Sequence, residues 1–259
     1  MTLPRKIILT LITISGSLLL HGQGEAGKRS YQPVDFTLQI KNMHLWRGIE
    51  VSDGMTFATD IRLKDKKDMF NFGLWGGISA NGSFKEFDYY TSFSKAGFTL
   101  AVWDIYNFSP GASYNNRQMF NYKAKETGHF VDVSASYHFQ KNFPLKISWS
   151  TIVFGRDRDG VNSKNRYSSY VFAGYPILRH RVVDLDFGIA GAFALDKGKD
   201  KDGNPTKANF YGDTAGIVDV NLTASKTLDL WGYKLPVSVM AMWNPQNNYA
   251  NIQIALNLF

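Results

Sequence analysis

Polar and apolar residues alternate with a period of two along most of this chain. Residues 34–41 (VDFTLQIK) place Phe36, Leu38 and Ile40 on one face and polar residues on the other. Residues 55–64 (MTFATDIRLK) repeat the pattern, with Phe57 and Ile61 on the apolar face. Such strict alternation is typical of a β-strand that has one apolar and one polar face. The chain after residue 32 is therefore predicted to be all-β.

The alternation continues to the end of the chain and predicts twelve strands. After the first two, strands are predicted at 69–80, 84–94, 98–107, 129–139, 145–155, 165–175, 181–195, 214–226, 235–244 and 249–259. Short connections such as 95–97 and 140–144 alternate with long ones at 109–128, 156–165 and 196–213. This layout is typical of outer-membrane barrels, whose short turns are periplasmic. The connection at 228–234 is an exception, because it is long where a short turn is expected.

We therefore expect a transmembrane antiparallel β-barrel whose apolar face meets lipid. Several strands carry a continuous apolar face, such as Phe70, Phe72, Leu74 and Ile78, or Ile252, Ile254, Leu256 and Leu258. Their other faces carry small, polar and ionisable side chains, which a wet lumen would accommodate at little cost. The strand at 98–107 conflicts with this pattern, because Asp104 shares the face of Leu100 and Val102. A β-bulge there would resolve the conflict.

The first 22 residues have the layout of a cleaved secretory signal peptide. Arg5 and Lys6 precede a mostly apolar run at 7–20, and small or polar residues follow it. Cleavage is predicted near Gly22–Gln23, residues 23–32 would form a short N-terminal segment, and 33–259 would form the barrel. The alternative is a single anchor helix, but the run is shorter than the roughly 20 residues that span a bilayer.

Composition narrows the function classes. The chain has no cysteine, which excludes disulfides, zinc–thiolate sites and a cysteine nucleophile. Without Arg5 and Lys6, 27 of the 29 basic residues remain against 22 acidic ones, too small an excess to suggest a nucleic-acid partner. We expect no metal and no cofactor. The loop at 200–204 faintly resembles a calcium loop, but its interleaved lysines would repel a cation.

Three motifs near the N-terminal end of the predicted barrel carry a family resemblance. They are Trp46–Arg47–Gly48 in HLWRGIEVSDG, Leu74–Trp75–Gly76 in MFNFGLWGGIS, and Glu86–Phe87–Asp88–Tyr89 in FKEFDYY. Together they resemble the TorF-type porin family of Gram-negative outer membranes over roughly residues 40–110. The resemblance implies a barrel with a porin-like role and names no substrate.

The polar strand faces supply the candidate pore lining. The candidates are Arg47, Asp60, Arg62, Glu86, Asp88, Asp132, Lys146, Arg166, Asp184, Asp186 and Asp219. Arg47 has two interpretations. It could form a constriction or binding site, since arginine is a fixed charge with a planar donor fork. Alternatively it pairs with Glu86 or Asp88 inside the barrel and closes the corner at Gly48, which is the interpretation we favour.

Aromatic residues gather near the predicted strand ends, where membrane barrels carry interfacial girdles. The residues assigned to these girdles are Trp46, Tyr89, Tyr137, Tyr175, Trp231 and Trp243. The chain also ends in an aromatic residue, Phe259, as outer-membrane barrels commonly do. However, the apolar residues that precede Phe259 lie on the other face of the strand, so the chain matches the usual C-terminal pattern of such barrels only in part.

One strand face suggests an enzyme. Asp132, Ser134, Ser136 and His138 share a face, and serine with histidine and aspartate could form a lipid-modifying hydrolase. Alternate residues on one strand lie roughly 6–7 Å apart, however, which is too far for direct contact. We therefore predict no catalytic residues.

The predicted function is a porin-like channel for small hydrophilic solutes in a Gram-negative outer membrane. Twelve strands lie between small filled barrels and wide porins, so a slender or partly plugged pore is expected. The alternative is a non-conducting barrel with a structural or adhesive role. Predicted partners are outer-membrane lipid and lipopolysaccharide, the barrel-assembly machinery through Phe259, and a small hydrophilic solute.

Overall fold

The computed structural model describes residues 31–140 and 143–259. Its strands are β1 (Val34–Lys41), β2 (His44–Trp46), β3 (Ile49–Ser52), β4 (Thr56–Lys64), β5 (Phe70–Ser79), β6 (Lys85–Lys95), β7 (Phe98–Asn107), β8 (His129–His138), β9 (Lys146–Gly155), β10 (Ser168–Arg179), β11 (Asp184–Ala194), β12 (Gly198–Lys199), β13 (Pro205–Thr206), β14 (Gly216–Leu230), β15 (Tyr233–Asn244) and β16 (Tyr249–Asn257). The predicted signal peptide lies outside the described residues. Within them, no helix is long and apolar enough to cross a membrane.

Twelve of these strands form a closed antiparallel barrel, which confirms the predicted fold. Each strand pairs with its neighbours in the sequence, and β1 pairs with β16 to close the sheet. The two remaining strand pairs, β2–β3 and β12–β13, stand apart from the wall as small hairpins. The wall strands agree with the predicted ones to within a few residues at most ends. Alternation alone thus located them, because each has one apolar and one polar face.

The seam between β1 and β16 is the shortest junction in the wall. It contains three residue pairs, from Gln39↔Asn257 to Lys41↔Ala255. Asn42 extends it: its side-chain amide donates to the Ile252 carbonyl at 2.9 Å, and its side-chain oxygen accepts from the Ile254 amide at 2.7 Å. The side chain therefore replaces a backbone peptide where the ladder ends.

The barrel exposes its apolar side chains on the outside, as predicted. Phe70 and Ile252 remain 59% and 56% exposed, and the apolar faces of the other wall strands are exposed in the same way. The inner face holds polar groups and small residues, including Thr56, Asp132 and Ala190, all nearly inaccessible. An apolar exterior around a polar interior is the pattern of a barrel that sits in lipid.

Short turns and long loops occupy opposite rims. The short-turn rim carries connections such as 96–97 and 231–232, and the long-loop rim carries 108–128, 156–167 and 195–215. The prediction for 228–234 was wrong: this stretch is mostly strand, because Leu230 pairs with Tyr233 across a two-residue turn. Trp231 (φ 54°) and Gly232 (φ 91°) give that turn the positive φ angles that match strand twist in hairpins.

The predicted bulge at Asp104 is also wrong. β7 pairs without a register shift on both sides, so Asp104 does face outward beside Leu100 and Val102. Its carboxylate accepts from Tyr89 (2.5 Å) and Tyr122 (2.8 Å) and lies 2.7 Å from the His129 imidazole. Tyr122 belongs to the long loop 108–128, which folds over the outer wall and buries the carboxylate. The covering loop, and not a β-bulge, therefore accommodates the Asp104 carboxylate on the outer face.

Replacement of Asn42 by alanine is expected to weaken barrel closure. The change removes two hydrogen bonds at the seam, each contributing about 1 kcal/mol. The midpoint of thermal unfolding of the detergent-folded barrel, followed by its change in gel migration, should fall. Asn204→Ala, in an exposed loop, is the control and should leave the midpoint unchanged. Equal midpoints for the two variants would contradict the role given to Asn42.

Candidate functional site: a luminal chamber beneath a plug hairpin

The chain between β1 and β4 folds into the barrel instead of extending from its rim. Its β2–β3 segment, residues 44–52, is called the plug hairpin below. The hairpin turns at Arg47 (φ 49°) and Gly48 (φ 78°). A Cβ atom at Gly48 would lie 2.1 Å from the Val218 carbonyl oxygen, so glycine is required by both backbone angle and space. The Trp-Arg-Gly motif is therefore the tip of a hairpin that lies close against β14.

Arg47 fixes the plug hairpin to the wall. Its guanidinium donates to both carboxylate oxygens of Asp132 on β8, at 2.7 and 2.8 Å, and to the Tyr211 hydroxyl at 3.0 Å. The predicted partners, Glu86 and Asp88, are wrong. Asp132 and Arg47 are only 1% and 18% exposed at their side chains, so the pair is largely shielded from water. Bidentate pairs of this kind add both energy and geometric specificity.

Polar side chains from β15 and β16 hold the hairpin from the other side. Asn244 and Tyr249 both donate to the Gly48 carbonyl, at 2.9 and 2.5 Å. Gln253 accepts a hydrogen bond from the Leu45 amide at 2.9 Å. The hairpin is thus connected to strands on opposite sides of the lumen and crosses it.

Trp46 lies inside the barrel, so its assignment to an interfacial girdle is wrong. Its ring packs against Phe130, Phe210 and Tyr211, with centroids 6.0, 6.3 and 5.8 Å away. The Arg47 guanidinium stands 4.7 Å from the same ring, within cation–π range. Phe210 and Tyr211 come from the loop between β13 and β14, which therefore folds inward to meet the hairpin.

A chamber of about 690 Å³ lies beside the plug hairpin in the lumen. Its volume is within the range of small-molecule sites, roughly 300–1,000 Å³. Charged residues and large aromatic rings share its lining. The residues that matter below are Lys41, Trp75, Glu86, Asp88, Trp103, Tyr114 and Arg156, together with Trp46, Arg47 and Asp132 already described.

The charges around the chamber are of both signs. Glu86 and Asp88 project inward from β6, and Asn107 donates to Glu86 at 3.1 Å. The Lys41 ammonium group lies 3.3 Å from the His44 imidazole. Arg156 follows the end of β9, and its guanidinium stands 4.1 Å from the Tyr114 ring. Burial lowers the pKa of Arg156, with nearby Tyr114 and Glu86 acting against that effect.

The loops at the mouth are ordered by two buried carboxylates. Burial raises the pKa of Asp157, although its oxygens accept from the Ser168 amide and hydroxyl at 2.7 and 2.8 Å. Burial acts on Asp159 too, but hydrogen bonds from Ser163 and neighbouring amides outweigh it and hold the pKa at about 2. Arg166 lies in this loop, two residues before β10, so its predicted place on a wall strand is wrong.

The other predicted lining residues lie along the inner wall in separate groups. Asp60 accepts from Tyr90 at 2.9 Å, and Asp219 accepts from Tyr170 at 2.8 Å beneath the plug hairpin. Nearer the short-turn rim, Arg62 pairs with Asp35 at 2.7 Å, and Arg179 pairs with Asp186 at 2.5 Å. Lys146 and Asp184 begin strands at that rim. Only Arg47, Glu86, Asp88 and Asp132 meet at the chamber.

The remaining predicted girdle residues lie on the outer wall or at a rim. Tyr137 and Tyr175 are on the outer face toward the short-turn rim, and Trp243 is on the outer face toward the long-loop rim. Trp231 is fully exposed at the tip of its turn. Tyr89 faces outward and binds Asp104, as described above. Their contact with lipid headgroups stays a prediction.

The strand that suggested a hydrolase separates its candidate residues. Asp132 is bound by Arg47, and His138 is exposed six residues farther along β8. That separation is about 20 Å at the rise of a strand. A triad of Asp132, a β8 serine and His138 is therefore not formed.

Several chamber residues escaped the sequence-based prediction. Lys41 lies on a predicted polar face, so alternation alone could have identified it, whereas the sequence leaves the face of Trp103 ambiguous because of Asp104. Arg156 and Phe210 lie in long connections, and nothing in their local pattern indicates that these loops fold inward. The sequence does carry a signal for the plug hairpin, the two residues Arg47–Gly48 between short alternating runs, but the same pattern fits a corner of the wall.

No protein-family model and no curated protein matches this chain. Among solved structures, a chain from a study of in-meso crystallisation of membrane proteins has a TM-score of 0.46 and 7% identity, covering 86% of this chain and 82% of its own. The outer membrane protein OpdK of Pseudomonas aeruginosa has a TM-score of 0.37 and 11% identity, covering 88% of this chain and 61% of its own. Wzi of Escherichia coli, a carbohydrate-binding barrel involved in capsule assembly, has a TM-score of 0.33 and 9% identity, covering 87% of this chain and 55% of its own.

This chain thus spans less than two thirds of the OpdK and Wzi chains. All three TM-scores fall below one half, so these likenesses carry no argument about what this protein does. The resemblance to TorF-type porins stays a prediction.

Replacement of Asp132 by alanine is expected to destabilise the barrel strongly. It leaves the Arg47 guanidinium shielded from water without its carboxylate, and loss of one partner of a buried pair costs about 3–5 kcal/mol. The free energy of unfolding in urea, followed by tryptophan fluorescence, measures the loss. Asp196→Ala breaks the exposed pair with Lys164 and should cost less than about 1 kcal/mol. Equal losses would show that the Arg47–Asp132 pair is not structurally special.

Proposed function

We propose that this protein is an outer-membrane channel of a Gram-negative bacterium that passes small hydrophilic solutes. The observation that carries the proposal is the polar, charged chamber inside a closed barrel whose outside is apolar. A chamber of this volume is wide enough for a small solute, which favours a channel over a barrel that serves only as a scaffold. In this proposal the long-loop rim faces the cell exterior and the exposed outer wall contacts membrane lipid.

The plug hairpin is the part of the proposed channel that limits flow. It crosses the lumen and is held by the Arg47–Asp132 pair on one side and by Asn244 and Tyr249 on the other. A solute passing the chamber must go around it. Release of the hairpin should therefore widen the path without disturbing the wall strands, whose ladders do not include it.

Single-channel conductance in planar bilayers tests both parts of the proposal. The wild-type barrel should conduct weakly. The double variant Arg47→Ala/Asp132→Ala removes both charges, so no unpaired charge remains, and should at least double the conductance. The control Asp229→Ala/Lys234→Ala removes an exposed pair at the short-turn rim and should leave conductance unchanged.

The outcomes separate the alternatives. Folded wild-type protein that carries no current above leak would overturn the channel and favour a non-conducting structural or adhesive barrel. Current that is equal in wild type and the Arg47/Asp132 double variant would show that the plug hairpin does not limit flow. Gel migration that changes on heating confirms the folded state of each variant before it is measured.

A further inference from the structure

Arg156 presents an unused set of donors to the chamber. Among the described residues it forms no ion pair within 4.0 Å and no side-chain hydrogen bond. Its Nε is buried without a hydrogen-bond partner. The guanidinium is held among the rings of Tyr114, Phe130 and Phe210, at 4.1, 4.8 and 5.3 Å from their centroids. A planar donor group fixed in this way is suited to a carboxylate.

Two carboxylates on the same chamber are also without a contacting cation. Glu86 and Asp88 are neighbours on the inner face of β6, and within the described residues neither forms an ion pair. Asp88 accepts a hydrogen bond from the Tyr106 amide at 3.2 Å, and Glu86 accepts one from the Asn107 side chain. Lys41, the nearby cation, contacts His44 instead. These acids therefore keep acceptor capacity for a positively charged group.

The chamber thus has acidic and basic side chains that contact no opposite charge, whereas Arg47 and Asp132 bind each other. Glu86 and Asp88 share the chamber with Lys41 and Arg156, so acidic and basic side chains are equal in number there. A solute with net charge of either sign would be attracted by one group and repelled by the other. A solute that carries both charges matches both. Trp75 and Trp103, backed by His44 and Tyr90, add ring surface for its apolar part.

We propose that this chamber binds a zwitterionic solute, an amino acid or short peptide, with its carboxylate on Arg156 and its ammonium group at Glu86 and Asp88. The inference names the solute class of the proposed channel and in that sense rests on it. Binding itself does not require current, so the two can be tested apart.

Titration calorimetry on the detergent-folded protein tests the inference with three matched peptides. The probes are glycyl-phenylalanine, its N-acetyl derivative, which lacks the positive charge, and its C-terminal amide, which lacks the negative one. Maltose serves as a neutral solute. Glycyl-phenylalanine should bind at least about tenfold more tightly than either derivative, since one charge-assisted hydrogen bond is lost in each.

Variants identify which side chain binds which charged group of the peptide. Arg156→Gln should bind the amide as well as the zwitterion, and Glu86→Gln/Asp88→Asn should bind the N-acetyl derivative as well as the zwitterion. Arg158→Gln is the matched control: it lies two residues from Arg156 but bonds Asn162 and Asn165, so it should keep the wild-type preference. Heat-dependent gel migration shows that each variant is folded.

Maltose binding as tight as that of glycyl-phenylalanine would overturn the inference in favour of a neutral saccharide site. Absence of binding by all four probes would overturn it as well. Conductance with no peptide binding would leave the channel intact and remove the inference. Peptide binding by a barrel that carries no current would support the inference and overturn the channel.

Discussion

Backbone hydrogen bonding is the constraint on which the whole structure depends. A sheet with apolar residues on its outer face can lie in lipid only if no strand edge is left open, because unpaired N–H and C=O groups have no water there. The wall meets this condition by closing β1 onto β16, where the ladder is short and Asn42 extends it with its own amide. Closure then defines a lumen, and everything that concerns solutes lies within it.

Inside the lumen, one ion pair organises the rest. Arg47 reaches Asp132 from the tip of the plug hairpin, and Trp46 and Tyr211 pack around the pair. The hairpin forms one side of the chamber, while β6 and the segment after β9 bring charges of opposite sign to the other sides. The position of a loop, more than the wall itself, therefore decides the width and the chemistry of the proposed path.

Alternation predicted the wall well because lipid and water select opposite residues on the two faces of each strand. Asp60, Glu86, Asp88 and Asp132 lie on inward faces for that reason. Alternation failed where a loop changes the environment of a face. Loop 108–128 makes an outward Asp104 acceptable, and the plug hairpin puts Trp46 in the lumen. The partner of Arg47 could not be predicted either, because Asp132 is 85 residues away and on the far side of the barrel.

The most direct test of an apolar outside and an aqueous inside uses the absence of cysteine from the chain. Single cysteines at neighbouring positions of β14, Leu222 facing out and Thr223 facing in, differ only in the face that they occupy. In reconstituted vesicles, a water-soluble thiol reagent should label Thr223→Cys and spare Leu222→Cys. Preferential labelling of Leu222→Cys would contradict an apolar wall in lipid around a polar, solute-accessible lumen.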